Sequence, residues 1–288
     1  MRDIFQAMTE LMDLNSRLIS IDLLLKNKAA VEPAHYDSPT KFDGGRYAVP
    51  IERAVASHLF LEWAGRQGAS SPLQMRRALD IEYVDDLGED QEAACWYLEY
   101  AFNMVKLVME NASKHELAYD PITTSVLLND IKDAASILGM TPVMIGEGRY
   151  HLCVSNAPVL VAASNAAEDE MRCFVEYLRF ATKGDLTRKK ELLASLYMGF
   201  EARRKYLEDN GCGKLTSTIG RLANNLDIRH NNTAGAKANP VASSMSNAGL
   251  EKWYDRILEL YAEAVLAEQR IGISAEVSEL SEKLRSSS

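Results

Sequence analysis

Hydrophobic residues recur at helical spacing along most of this 288-residue chain. A period near 3.6 residues, with Pro, Asp or Gly at the ends of many runs, predicts a series of amphipathic or buried helices. Their predicted ranges are 1–28, 51–67, 71–79, 91–114, 120–138, 159–181, 186–208, 215–229, 249–270 and, as a short last helix, 274–284. The pattern therefore predicts a mainly α-helical protein made of helical bundles.

The period changes after Gly139. Residues 141–145 and 149–154 form two strand-like segments around Gly146-Glu147-Gly148, which predicts a small β-hairpin insertion near residues 141–155. The two glycines also suggest a phosphate-binding loop, but they lack the spacing of a Walker or dinucleotide-binding motif, so a hairpin turn is favoured. We expect strand to be confined mainly to this region.

Breaks in the pattern divide the chain into three parts. Residues 1–140 form an N-terminal helical region, residues 141–183 a hairpin with a connecting helix, and residues 184–288 a C-terminal helical bundle. Gly184-Asp185 marks the second boundary, because it interrupts the helical pattern ahead of a strong amphipathic run.

Composition narrows the class of protein. The chain is 47% hydrophobic and 25% charged, which is typical of a folded globular protein. It has no run of about eighteen apolar residues, as a membrane span needs, and no secretory signal pattern. The cysteines are widely spaced, without a Cys-x-x-Cys pair: Cys95, Cys153, Cys173 and Cys212. We therefore expect reduced thiols in a cytoplasmic protein, with no metal site and no cofactor.

Charge is unevenly distributed along the chain. The net charge is −9 overall, −10 in residues 1–184 and +4 in residues 185–240. An acidic protein is a poor general binder of nucleic acid, because neutralising phosphate supplies most non-specific affinity. Residues 185–240 are the segment through which RNA could bind. Its runs Lys189-Lys190 and Arg203-Arg204-Lys205 lie on one predicted helix, where such runs usually form a solvated face but also supply positive potential.

The densest group of chemically active side chains is Arg229-His230-Asn231-Asn232, directly after a predicted helix. Histidine titrates nearest neutral pH, and arginine stays charged and grips phosphate or carboxylate with two prongs. The same residue types suit a helix end, since cations favour the helix C-terminus and Asn adopts the left-handed conformation found there. The residues alone therefore support both a catalytic or ligand-binding interpretation and a structural one.

Two neighbours of this group carry further expectations. Asp227 and Arg229 are two positions apart, so they do not face each other on a helix. We interpret Asp227 as a solvated residue or as the partner of another helix. Trp253 lies at helical spacing with other apolar residues, and we predict that it is substantially buried against the helix containing Leu222 and Leu226.

Three features of residues 184–270 together resemble a known family. Gly184-Asp185 precedes a long helix, the segment 226–232 (Leu-Asp-Ile-Arg-His-Asn-Asn) ends the next, and the segment 250–255 (Leu-Glu-Lys-Trp-Tyr-Asp) lies in the last. This region resembles the C-terminal regions of bacterial abortive-infection and related phage-defence proteins. It is similar in outline to the HEPN superfamily of small helical bundles, although its Arg and His are adjacent, whereas the HEPN signature separates them by several residues.

The resemblance implies an antiviral protein that is a metal-independent endoribonuclease if it is an enzyme. It implies that Arg229 binds phosphate, that His230 transfers protons and that Asn231 lies beside them, with RNA held through residues 185–240. It also implies a homodimer, in which two subunits pool their residues. The alternative is a non-catalytic helical interaction or sensor protein, which holds a partner through its acidic N-terminal half and in which the Arg-His-Asn-Asn cluster is structural.

Overall fold

The computed structural model describes residues 13–26, 30–33, 46–85, 87–115, 117–146, 148–228, 242 and 244–286. The structure is 75% helical and contains a small antiparallel hairpin, which confirms the predicted mainly α-helical class. It divides into two compact units, residues 1–154 and residues 155–288. Among the helices within these described ranges, none is long and apolar enough to cross a membrane.

The first unit is built around one long buried helix. Its elements are α1 (Leu14–Leu25), β1 (Ala30–Pro33), β2 (Arg46–Val49), α2 (Ile51–Ala54), α3 (Pro72–Ala78), α4 (Gln91–Asn111), β3 (Ala118–Tyr119), α5 (Pro121–Ile137), β4 (Met140–Gly146) and β5 (Arg149–Val154). Helix α4 is the central element, and most of its side chains between Ala94 and Val108 are buried.

The starts of α4 and α5 follow directly from the sequence. The carboxylate of Asp90 accepts the first free N–H groups of α4, and that of Asp120 does the same for α5. Pro121 occupies the first turn of α5, where a missing N–H costs nothing. Such caps satisfy donors that the helix itself leaves unpaired, which is why these two boundaries agree with the predicted ones.

The strand prediction was incomplete. Strands β2, β1 and β3 form a small antiparallel sheet, in which Ala30 lies opposite both Val49 and Tyr119. Strand is therefore not confined mainly to residues 141–155, because these strands of two to four residues are too short to show a period. The helix predicted over 51–67 is also broken: α2 passes into a π-helical turn at Val55–Leu59 and then a 3-10 turn at Ala64–Arg66.

The predicted hairpin is present as β4 and β5, with Met140 opposite Val154. Its outer edge is held by side chains of α4. The Asn103 amide accepts from the N–H of Tyr150 at 2.9 Å and donates to its carbonyl at 2.8 Å. The Glu99 carboxylate accepts from the N–H of Leu152 at 2.8 Å. These bonds attach the hairpin to the first unit.

The second unit is entirely helical in its described part. Its helices are α6 (Ala157–Asn165), α7 (Glu168–Leu178), α8 (Leu186–Asp209), α9 (Gly213–Asn225) and α10 (Asn247–Ser286). Helix α10 packs against α6, α8 and α9. Phe200 and Tyr261 lie at the centre of this core, 6.1 Å apart between ring centroids.

Two predicted boundaries in this unit differ from the structure. The helix predicted over 159–181 is interrupted between α6 and α7, where Ala167 has an extended backbone. The acidic run at Glu168–Glu170 marks this start, since acidic residues favour a helix N-terminus. Helix α10 continues through Gly272, because one glycine costs only about 1 kcal/mol in a helix.

The two units meet at residue 154, while the division of the chain at residues 140 and 183 stays a prediction. The hairpin belongs to the first unit, through its bonds to α4, and helices α6 and α7 belong to the second.

Candidate functional site

The end of α9 leads into the predicted site, and it carries its own cap. Asp227 has a left-handed backbone (φ +57°), and the N–H of Ile228 donates to the carbonyl of Ala223 at 2.9 Å. This is the long hydrogen bond of a Schellman motif, which commonly ends a helix. Ile228 is buried, so the chain leaves α9 at a point that packing fixes.

Arg229, His230 and Asn231, the predicted site residues, lie outside the described residues. The structure describes the chain up to Ile228, the residue directly before them. Helix α9 ends at Asn225 rather than near residue 229, and the left-handed residue that terminates it is Asp227. Residues that precede the Arg-His-Asn-Asn cluster therefore cap the helix. The structural interpretation assigned helix capping to the cluster, and α9 does not need the cluster for that purpose.

Asp227 is the partner of another helix, as one of its two interpretations predicted. Its carboxylate accepts from Lys190 Nζ of α8 at 2.8 Å. Burial and the neighbouring Asp227 charge raise the pKa of Tyr254 on α10. The end of α9 is thus tied to α8 by an ion pair and carries its negative charge next to α10.

The basic run on α8 is largely neutralised by nearby carboxylates. Each cation between residues 185 and 205 forms at least one ion pair in the structure. The pairs join Arg188 to Glu176 and Glu191, Lys189 to Glu251 and Asp255, Lys190 to Asp227, Arg203 to Glu170 and Glu268, Arg204 to Glu201 and Glu208, and Lys205 to Asp209. The +4 charge of residues 185–240 therefore does not create an open basic face along α8.

An open groove runs between α9 and α10. One stretch has a volume of about 1420 Å³ and another of about 570 Å³, and the two share Thr218 and Leu260 in their walls. Trp253 lines the second stretch together with Leu222, but 41% of its surface is exposed, so the prediction that it is substantially buried was wrong. The buried face of α10 is centred on Tyr254. Trp253 is the adjacent residue, so its position is rotated by about 100° around the helix axis from the centre of that face.

The first unit contains a buried ionic cluster that the sequence did not indicate, which we call the Arg76 cluster. The Arg76 guanidinium lies 3.1 Å from Asp22 of α1 and 3.1 Å from Glu52 of α2. From α4, Tyr97 donates to Asp22 at 3.1 Å and Tyr100 to Glu52 at 2.8 Å. The cluster joins four helices through side chains that are far apart in sequence.

The neighbouring carboxylates keep the Arg76 guanidinium, at the centre of the Arg76 cluster, charged. Burial alone would lower the pKa of Arg76, but Glu52 and Asp22 outweigh it and raise the pKa. Burial, with the adjacent carboxylates, raises the pKa of Tyr97 and Tyr100 well above its usual value, so both hydroxyls remain donors. Arg76 also donates to the backbone carbonyls of residues 81 and 82. With its donors used in this way, the cluster serves to hold the helices together.

The second unit has a counterpart, the Lys189 cluster. Lys189 Nζ of α8 lies 2.8 Å from both Glu251 and Asp255 of α10. Tyr177 of α7 donates to Asp255 at 2.9 Å, and the ammonium lies 4.8 Å from the centre of its ring. The Gly184 N–H donates to Glu251 at 2.8 Å. The sequence had placed Lys189 on a solvated or RNA-binding face, yet it is buried.

A third polar contact explains a glycine inside α8. Arg203 pairs with Glu170 of α7 at 2.6 Å and with Glu268 of α10 at 2.9 Å. A Cβ atom at Gly199 would lie 1.9 Å from a Glu170 carboxylate oxygen, so glycine leaves the space that this carboxylate occupies. Packing therefore explains why position 199 is a glycine.

Side chains that could bind a metal are not grouped in the described part of the chain, where no set of three or more His, Cys, Asp or Glu is suitably placed. None of the four cysteines, all of which lie in the described ranges, forms a disulfide; Cys95 and Cys153 are buried, and Cys173 and Cys212 are partly exposed. No protein-family model, curated protein or solved structure matches the chain.

Proposed function

We propose that residues 184–288, within the second unit, form a HEPN-like domain of a cytoplasmic antiviral protein and that Arg229, His230 and Asn231 form a metal-independent ribonuclease site. The observation that carries this proposal is the cap at the end of α9. Asp227 and Ile228 terminate that helix, so the adjacent Arg-His-Asn-Asn sequence is not needed to end it. The all-helical architecture of the described second unit supports it as well.

The reaction would be transesterification of RNA. His230 takes the proton of a 2′-hydroxyl, whose oxygen attacks the adjacent phosphorus; the bond to the 5′-oxygen breaks, and that oxygen takes a proton from water. Arg229 stabilises the charge on the phosphoryl oxygens, and Asn231 orients one of them. The products are a 2′,3′-cyclic phosphate and a 5′-hydroxyl.

An RNA-cleavage assay with purified protein tests this function. His230→Ala should lower the cleavage rate by about 10²–10⁴-fold, because a general acid–base is lost. Arg229→Lys should also lower it, since lysine keeps the charge but loses the two-pronged grip. Arg221→Lys, at an exposed position of α9, is the matched control and should cleave like wild type. Full cleavage by a folded His230→Ala protein would refute the assignment.

A second candidate is the non-catalytic interaction protein, and one observation favours it. The described basic run on α8 is ion-paired, which leaves little open positive surface to hold RNA. The groove between α9 and α10, with the half-exposed Trp253 in its wall, is a surface of the kind that takes an amphipathic helix from a protein partner.

Growth arrest on overproduction separates the two candidates. A ribonuclease should lose toxicity with His230→Ala and keep it with Trp253→Ala. An interaction protein should show the reverse, because removing the indole removes apolar contact area from the groove. Both variants must accumulate to wild-type levels, which immunoblotting checks, so that altered abundance does not explain a lost phenotype.

A further inference from the structure

The last part of α10 is exposed on all sides. Every side chain from residue 273 to residue 286 is solvent-exposed in the structure. Among them are four large apolar side chains with exposed fractions of 53–62%: Ile273, Val277, Leu280 and Leu284. Between Tyr254 and Val265, α10 instead buries a face of apolar side chains against other helices of the second unit, so the last segment differs from this part of the same helix.

These four residues form one stripe, which we call the terminal stripe. Their spacing of four, three and four residues is the a/d repeat of a coiled coil, and it places them within about 60° of one another around the helix axis. A contiguous apolar stripe on an otherwise Ser- and Glu-rich helix indicates a surface that pairs with another one. The segment spans about 21 Å, or two heptads.

We propose that the terminal stripe pairs in antiparallel orientation with the terminal stripe of a second copy of this chain. In that arrangement Ile273 packs opposite the partner's Leu284, and Val277 packs opposite the partner's Leu280. The symmetry of the pair repeats both contacts, which gives four apolar layers with no polar residue among them.

The charges beside the stripe select this partner and this orientation. Glu276 and Lys283 occupy the same flank, one heptad apart. In the antiparallel pair, Glu276 lies opposite the partner's Lys283, and symmetry forms this ion pair twice. In a parallel pair, Glu276 would instead lie opposite the partner's Ser281. A shift by one heptad would bring Glu276 opposite the partner's Glu276, so the register is specified too.

The backbone of the monomer does not need to rearrange for this pairing. The segment is already helical as the continuation of a 40-residue helix, so helix nucleation adds no cost. Within one chain, Lys283 pairs with Glu279 at 2.6 Å, but both side chains are exposed and this pair is weak. The pairing does not depend on ribonuclease activity, and either proposal can fail while the other holds.

Sedimentation of the full chain over a range of concentrations tests the apolar layers. Wild type should dimerise with a dissociation constant below about 100 μM. Leu280→Glu, which places a charge in a central layer, should raise that constant at least about tenfold. Ala275→Glu adds the same charge on the opposite side of the helix and should leave it unchanged. Wild type that stays monomeric would overturn the proposal and assign the stripe to another partner.

Charge reversal tests the orientation. Glu276→Lys and Lys283→Glu should each weaken self-association on the order of tenfold, because each places like charges opposite each other twice. Mixing the two variants should restore dimerisation, since the new lysines then face the new glutamates. Failure of the mixture to associate more strongly than either variant alone would overturn the antiparallel pairing.

Discussion

The Arg76 cluster and the Lys189 cluster are built from the same parts in two different units. Each places a buried cation between two carboxylates and next to tyrosine, and each joins helices that are distant in sequence. They differ in depth. The carboxylates around Arg76 are 10% and 21% exposed, whereas those around Lys189 are 23% and 49% exposed.

The difference follows from the two cations. A guanidinium has five donors in a plane, which Arg76 divides among two carboxylates and two backbone carbonyls. An ammonium has three donors and is strongly hydrated, and Lys189 lies where its partners still reach water. A charge is tolerated deep in a protein only when its hydrogen bonds are satisfied, so the deeper cluster requires arginine.

The largest effect should come from breaking the deeper cluster. Arg76→Met should lower the free energy of unfolding by about 3–5 kcal/mol, because it removes the buried guanidinium that Asp22 and Glu52 share, although Asp22 keeps its pair with the exposed Lys26. Urea denaturation measures the change. Arg77→Met is the control. The Arg77 guanidinium pairs with Glu82 on the surface, so its removal should barely change the free energy of unfolding. Equal losses in both variants would contradict the ranking by depth.

Breaking the shallower cluster should cost less. Lys189→Met should lower the free energy of unfolding by about 1–3 kcal/mol, since water can reach Asp255 and Glu251 once the ammonium is gone. Lys205→Met on the same helix removes a fully exposed pair with Asp209 and should not shift the melting temperature measurably. If Lys189→Met matched Arg76→Met in cost, depth would not be the deciding variable.

Removing one hydroxyl sharpens the comparison further. Tyr100→Phe deletes only the hydrogen bond to Glu52 and leaves the ring in place. It should cost about 1 kcal/mol, because Glu52 keeps its contact with Arg76. Thermal denaturation detects a change of this size. A cost above that of Arg76→Met would mean that the tyrosines, rather than the guanidinium, hold the cluster together.

The smallest effect concerns pH. Burial alone would raise the pKa of Glu251, but Lys189 and the Gly184 N–H outweigh it and lower the pKa below its usual value. The unfolded chain therefore binds this proton more readily. The resulting stability is present above about pH 4.5 and is lost as the pH falls through the folded-state pKa. We expect a contribution of about 0.2–1 kcal/mol, visible as a smaller stability loss between pH 6 and pH 3 in Lys189→Met than in wild type.

Local signals predicted much of the fold. The caps at Asp90 and Asp120 and the glycine turn of the hairpin lie within the segments that they organise, so the sequence indicated them correctly. Strands β1 to β3 are two to four residues long, which leaves no periodic pattern, and β1 pairs with β3 across more than eighty residues. The break before Glu168 was missed because the alanines preceding it favour helix by themselves.

At the candidate site, too, the sequence indicated residues that are adjacent in the chain and missed contacts between distant ones. The Arg229-His230 cluster was visible because its residues are adjacent, and its function stays a prediction. The partners of Lys189 were not visible, because Glu251 and Asp255 lie more than sixty residues further along the chain. A cation on an amphipathic helix looks the same in sequence whether it faces water or a buried carboxylate, and only packing decides between them.

The attachment of β5 to α4 has a consequence for solvent exchange. The amides of Tyr150 and Leu152 donate to side chains of a helix rather than to a third strand. The outer edge of the hairpin is thereby closed to pairing with strands of other molecules, which is how many proteins avoid aggregation through their sheet edges. Exchange of these two amide hydrogens with deuterium requires β5 to leave α4, so their rates report the separation of helix and hairpin rather than fraying of the hairpin itself.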